Sequence, residues 1–222
     1  WDLESYKRRV DQNINPVGFS INLDVRKEFN DFIEDLDLSE SGTLISSFNK
    51  NNLVRMELNG RYLWEIPNTN RWIISLSAKT GLITNTKVDS FFYFFGGGMP
   101  GLKGYPFYSI EGSHMAIADL SMRIPFFREK HIPLGWFTIQ HGTFGIITQI
   151  GDAWNNDQSK INIKRSIGFE SRFAGYSFYN YPTAIGFEMH RGIDNFIMDI
   201  GDGIPLSYGG ETRYYLSILF GF

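Results

Sequence analysis

Val17-Gly18-Phe19-Ser20-Ile21-Asn22-Leu23-Asp24-Val25-Arg26 alternates apolar residues with small, polar or charged ones without a break. A strand sends successive side chains to opposite faces, so this segment has one apolar face and one polar face. The same period returns along the chain. Val54, Met56, Leu58, Tyr62 and Trp64 alternate with Arg55, Glu57, Asn59 and Glu65. Ile167, Phe169 and Phe173 alternate with Gly168, Glu170 and Arg172, and Ile185, Phe187 and Met189 with Gly186, Glu188 and His190. Strands are expected at about 16–29, 50–67, 71–84, 113–127, 133–153, 164–178, 183–193 and 212–222, with a weak ninth over 2–10. The best helical candidate is Lys27 to Leu38, with Phe29, Phe32, Ile33 and Leu36 at helical spacing. It is short and acidic and reads as part of a loop.

The connections alternate in length. Asn68-Thr69-Asn70, Arg128–His131 and Asn180-Tyr181-Pro182 read as tight turns. Between them fall long loops at 30–49, 85–112, 154–163 and 194–211. Short turns at one end and long loops at the other match the pattern of an outer-membrane barrel.

Composition agrees. The chain has 222 residues, net charge −3, no cysteine, 16% aromatic residues, 20 Phe and 23 Gly. The charge balance supplies no global basic field for nucleic acid. The lack of cysteine excludes disulfides, thiolate metal sites and cysteine nucleophiles. No run of about 18 apolar residues is present, so no helical span is expected. A mean hydropathy of −0.21 still fits a barrel, because lipid-facing residues alternate with polar ones. A soluble antiparallel sandwich also alternates. Three features favour the membrane: charges deep inside strands (Arg55, Glu57, Glu170, Arg172), apolar faces heavy in Phe, Ile and Leu, and aromatics near strand ends such as Trp64, Trp72, Tyr176 and Phe178. The expected fold is all-β, an antiparallel transmembrane β-barrel.

Two stretches carry a family resemblance. The chain ends with Tyr214, Leu216, Ile218, Phe220 and Phe222 on one face, which resembles the terminal signal by which outer-membrane barrels are recognised for insertion. Phe95-Gly96-Gly97-Gly98-Met99-Pro100-Gly101-Leu102-Lys103-Gly104-Tyr105 is followed by a strand through Asp119, Leu120, Ser121, Arg123 and Pro125, and then by Gln149-Ile150-Gly151-Asp152-Ala153-Trp154. Over about residues 50–222 this resembles the BamA-type superfamily of outer-membrane assembly and translocation factors, the bacterial surface antigen barrels. The resemblance implies the C-terminal half of a sixteen-stranded barrel, so residues 1–222 are expected to be an excerpt of a longer parent. It implies a bacterial outer-membrane location and an inward-folding loop over about 85–112, carrying Gly97, Gly98, Leu102, Lys103, Gly104 and Tyr105. The loop arginine of the family falls on Lys103, its glutamate on Ser121 and its aspartate on Gln149. Asp119 shares a face with Ser121, and Asp119 or Glu170 is therefore expected to receive Lys103.

The function this implies is non-enzymatic insertion or translocation of polypeptides, with outer-membrane lipids, polypeptide clients and accessory outer-membrane lipoproteins as partners and no nucleic acid. The alternative is a barrel that anchors, or serves as conduit for, a fused soluble domain such as a propeller. A less favoured alternative is an outer-membrane hydrolase built from Ser113, His114 and Asp119. Its serine lacks a nucleophile-elbow context. Gly96 to Lys103 fails as a phosphate loop, because Leu102 separates Gly101 from Lys103 and no helix follows. No two of His114, His131, His141 and His190 stand at metal-ligand spacing. Asp194, Asp199 and Asp202 lie in one loop without EF-hand spacing. No metal or cofactor is expected, and Glu188 with His190 reads as an inward polar pair.

Overall fold

A computed structural model describes residues 1–9, 12, 14–38, 44–85, 88–155, 161–178, 180–199 and 205–220. The fold is all-β. The strands are β1 (Asp2–Tyr6), β2 (Gly18–Leu38), β3 (Leu44–Glu65), β4 (Ile73–Ile83), β5 (Phe94–Phe95), β6 (Glu111–Gly112), β7 (His114–Phe127), β8 (Ile132–Leu134), β9 (Phe137–Trp154), β10 (Lys164–Ser177), β11 (Tyr181–Gly192), β12 (Phe196–Asp199), β13 (Pro205–Tyr208) and β14 (Thr212–Phe220). Ten of them form one sheet in the order β1-β2-β3-β4-β7-β9-β10-β11-β14, with β8 added on β9. All its pairings are antiparallel. Among the described residues no ladder joins β1 to β14, so the sheet is open.

Period two located the main strands, and four details differ. The segment Lys27–Leu38, expected in a loop, belongs to β2, and its ladder with β3 runs out to Leu38 opposite Leu44. Backbone pairing holds a hairpin past the point where sequence alternation stops. The expected strand 133–153 is interrupted: β8 ends at Leu134, Gly135 turns with φ +60°, and β9 starts at Phe137. The loop 194–211 contains the hairpin β12–β13. Of the weak strand over 2–10, Asp2–Tyr6 form β1, Lys7–Arg9 are not strand, and residue 10 lies outside the described residues. Phe222 of the terminal motif lies outside the described residues.

The register sorts the side chains into rows. Ile74, Met122, Ile146, Phe169, Met189 and Tyr214 lie side by side across six strands on one face. The next row, on the other face, runs Arg123, Gly145, Glu170, Glu188 and Tyr215. The apolar row faces out: Ile146 is 43% and Tyr214 64% exposed, whereas Arg123 is 3% and Glu170 1% exposed. A water-soluble sheet buries its apolar face; this one buries its charges.

The polar face is concave. Ile14, in the connection from β1 to β2, packs on Ala174 of β10 and Ala184 of β11. Its neighbour Asn15 donates to the Arg71 carbonyl at 3.3 Å. A short connection at one edge touches strands five and six places from β2 only if the sheet curls around it. At the end carrying the long connections, the segment between β4 and β7 covers the same face.

Candidate functional site

The strap across the polar face is built from Val88 to Gly112. Phe94–Phe95 within it pairs with Glu111–Gly112 at its end, as β5 and β6. Within it, Gly96 N–H donates to the Ile110 carbonyl, Leu102 N–H to the Gly96 carbonyl (both 2.7 Å), and Gly98 N–H to the Tyr105 carbonyl at 2.9 Å. Gly98 turns the chain at φ +67°, a region that disfavours side chains. Gly104 lies flat on the sheet: a Cβ there would stand 2.5 Å from Gly192 N and 2.7 Å from Ser166 Cβ. Leu102 and Tyr105 are fully buried in a cluster with Leu53, Ile83, Phe94, Ile110 and Ile117. Burying each such side chain contributes about 1.5–3 kcal/mol, which holds the strap down without any charge.

Polar anchors then set its position. The Gln149 side-chain amide on β9 reads the strap backbone, accepting from Lys103 N–H at 2.8 Å and donating to the Gly101 carbonyl at 3.0 Å. It also donates to Asp119 and accepts from Ser166 Oγ at 2.9 Å. The Lys103 ammonium pairs with Glu188 on β11. Glu188 also meets His190 Nε2 at 3.0 Å and Arg172 at 3.6 Å. Tyr215 on β14 donates its hydroxyl to the Lys103 carbonyl at 2.8 Å. On the opposite flank Arg55 of β3 donates to the Phe92 carbonyl at 2.9 Å, and its guanidinium stands 4.0 Å from the centre of the Phe94 ring.

A second tether ties the strap to an outer connection. Tyr105 donates its hydroxyl to the Arg165 carbonyl at 2.8 Å and accepts from Asp194 N–H at 3.0 Å. The Asp194 carboxylate takes two guanidinium bonds from Arg165, at 3.0 and 2.7 Å. Hydrogen bonding to that guanidinium holds the Asp194 carboxyl below its ordinary value. Burial pushes the Tyr105 phenol up.

The expected partner of Lys103 needs correcting. Neither Asp119 nor Glu170 receives it. Asp119 accepts from Gln149 and from Ser77 Oγ at 3.1 Å. Glu170 pairs with Arg123 and, at 2.8 Å, with Arg172. The reason is placement: Gln149 fixes the backbone of Gly101 and Lys103 above β9, and the Lys103 side chain reaches onward to β11. Ser121 lies buried on the same face. Gln149 contacts the strap through its backbone, a task that uses both the donor and the acceptor of an amide.

Glu188, His190 and Tyr215 therefore belong to the site, as does Gly168. The His190 ring sits over Gly168, where a Cβ would come within 2.2 Å of Nδ1. The only sequence signal for these was their shared face. Of the hydrolase residues, Ser113 Oγ is 2.9 Å from His114 Nδ1. Ser113 is fully buried and Asp119 is bonded elsewhere, so the three do not assemble. Among the described residues no group of three or more His, Asp or Glu side chains is placed to hold a metal. Comparison with protein-family models, curated proteins and solved structures found no match.

Proposed function

We propose that the chain is the C-terminal part of an outer-membrane β-barrel that inserts or translocates polypeptides without enzymatic chemistry, with the strap as a lumenal latch on the last strands. The reading of the sheet as barrel wall is carried by one observation: in an apolar row in register across six strands Ile146, Phe169 and Tyr214 are exposed and Ile74, Met122 and Met189 half-buried, while Arg123 and Glu170 behind them are buried. Lipid is the solvent for which that distribution is favourable. The open path supports a wall completed by strands upstream, because hydrocarbon does not tolerate unpaired edges.

The choice of assembly over anchoring rests on the resemblance in residues 95–105 together with the way the strap is tied to β11 and β14. A latch that grips the terminal strand sets how firmly that edge is held. Depleting the parent protein should leave unfolded barrel proteins in the periplasm. If every other barrel is inserted normally after depletion, assembly is wrong and the anchoring alternative takes its place.

A further inference from the structure

We propose an oxyanion-binding site on the concave polar face, between Arg61 of β3 and Arg123 of β7, that takes a carboxylate or a phosphate. It rests on the geometry of the polar face and not on the membrane reading. The guanidinium of Arg61 is half-buried and donates from Nε to Ser75 Oγ at 3.3 Å. No carboxylate pairs with it among the described residues. Arg123 is 3% exposed and gives Nε to Glu170, but its Nη1 is buried with no protein acceptor. Ser75 and Ser121 stand opposite one another in register between the two arginines, both buried. Arg61 on β3 and Arg123 on β7 thus flank β4 on the polar face, with Ser75 and Ser121 in the register row between them.

The charge balance points the same way. Arg123 and Arg172 share Glu170, Lys103 and Arg172 share Glu188, and Asp119, in the row of Arg61, is bonded to Ser77 and Gln149. Arg61 adds a further positive charge and feels the like charges of Arg123 and Arg172. Crowded cations with unused donors are stabilised by an anion that accepts from several of them, and planar guanidinium forks match carboxylate and phosphate oxygens.

The test uses the full chain folded in detergent. Inorganic phosphate, and separately a short peptide with one aspartate, are titrated at constant ionic strength against chloride, with calorimetry as the readout. The site predicts saturable binding of at least one probe, weakened about tenfold or more in Arg61→Gln. Arg61→Lys should restore part of it. Arg191→Gln, on the opposite face, should leave it unchanged. Which probe binds identifies the source of the oxyanion. Should Arg61→Gln fail to fold, wild-type protein answers alone: the probe must protect Arg61 from an arginine-selective dicarbonyl, read by mass spectrometry. Binding of neither probe, equal affinity in folded Arg61→Gln, or modification of Arg61 unaffected by the probe would overturn the site.

Discussion

Lys103 shows how one residue couples two parts of the chain. Its carbonyl, N–H and ammonium each reach a different strand, β14, β9 and β11 in turn. The ammonium pair with Glu188 is largely desolvated, so removing Glu188 leaves the Lys103 charge uncompensated, whereas removing Lys103 leaves Glu188 with Arg172 and His190. Lys103→Met and Glu188→Gln should each destabilise by about 1–3 kcal/mol. The double mutant should fall short of the sum by about 0.5–3 kcal/mol, measured by a denaturant cycle. Additive losses would mean the pair contributes nothing. Asp194 carries a pH dependence of known sign. Its folded pKa lies below the unfolded one because Arg165 holds the charged form. The tether's contribution is therefore present above the unfolded value, about pH 4, and lost as pH falls through the folded value. Proteolysis of the 193–211 connection should speed up in that acid window, and in Asp194→Asn it should lose that part of its pH dependence.

At the scale of elements, the outward row tests what solvent the sheet faces. Ile146 is the middle of that row, on an interior strand. Ile146→Arg should cost about 2–4 kcal/mol if it meets hydrocarbon, seen as loss of the heat-modifiable folded band after insertion into lipid vesicles. On a face bathed in water the same change should stay within about 0.5 kcal/mol. The strands themselves were legible because a sheet with one polar and one apolar face enforces period two, as in Ile167 to Arg172, where Glu170 is buried and Ile167 and Phe169 are exposed. Lys27–Leu38 was not legible, since the β2–β3 ladder needs only backbone pairing there. The partner of Lys103 was hidden for a different reason. Sequence places Asp119, Glu170 and Glu188 on one face, but which of them a loop lysine reaches depends on where Gln149 seats the strap backbone. Gly168 was likewise silent, because its use is steric and comes from His190 on the adjacent strand.

For the whole molecule, the two proposed mechanisms make different demands on the edges of the sheet. Seven of the nine strands on the main path have neighbours on both sides; β1 and β14 have one. Among the described residues β14 pairs only with β11, over Thr183 to Arg191, and its other row of N–H and C=O groups has no strand partner. The strap reaches β14 through Tyr215 and its neighbour β11 through Glu188, so the edge strand is held from the polar side while its free edge stays open to pairing. Strand addition at such an edge gives affinity through backbone bonds and needs little side-chain specificity, which is what the proposed assembly role would require. The chain has no cysteine, so one introduced thiol reports without background. Ser217→Cys on β14 should cross-link to nascent barrel strands in cells, whereas Thr148→Cys, at mid-sheet on β9, should not. Equal capture by the two positions, or capture by neither while the protein's own barrel is complete, would remove strand templating at this edge and favour the anchoring alternative.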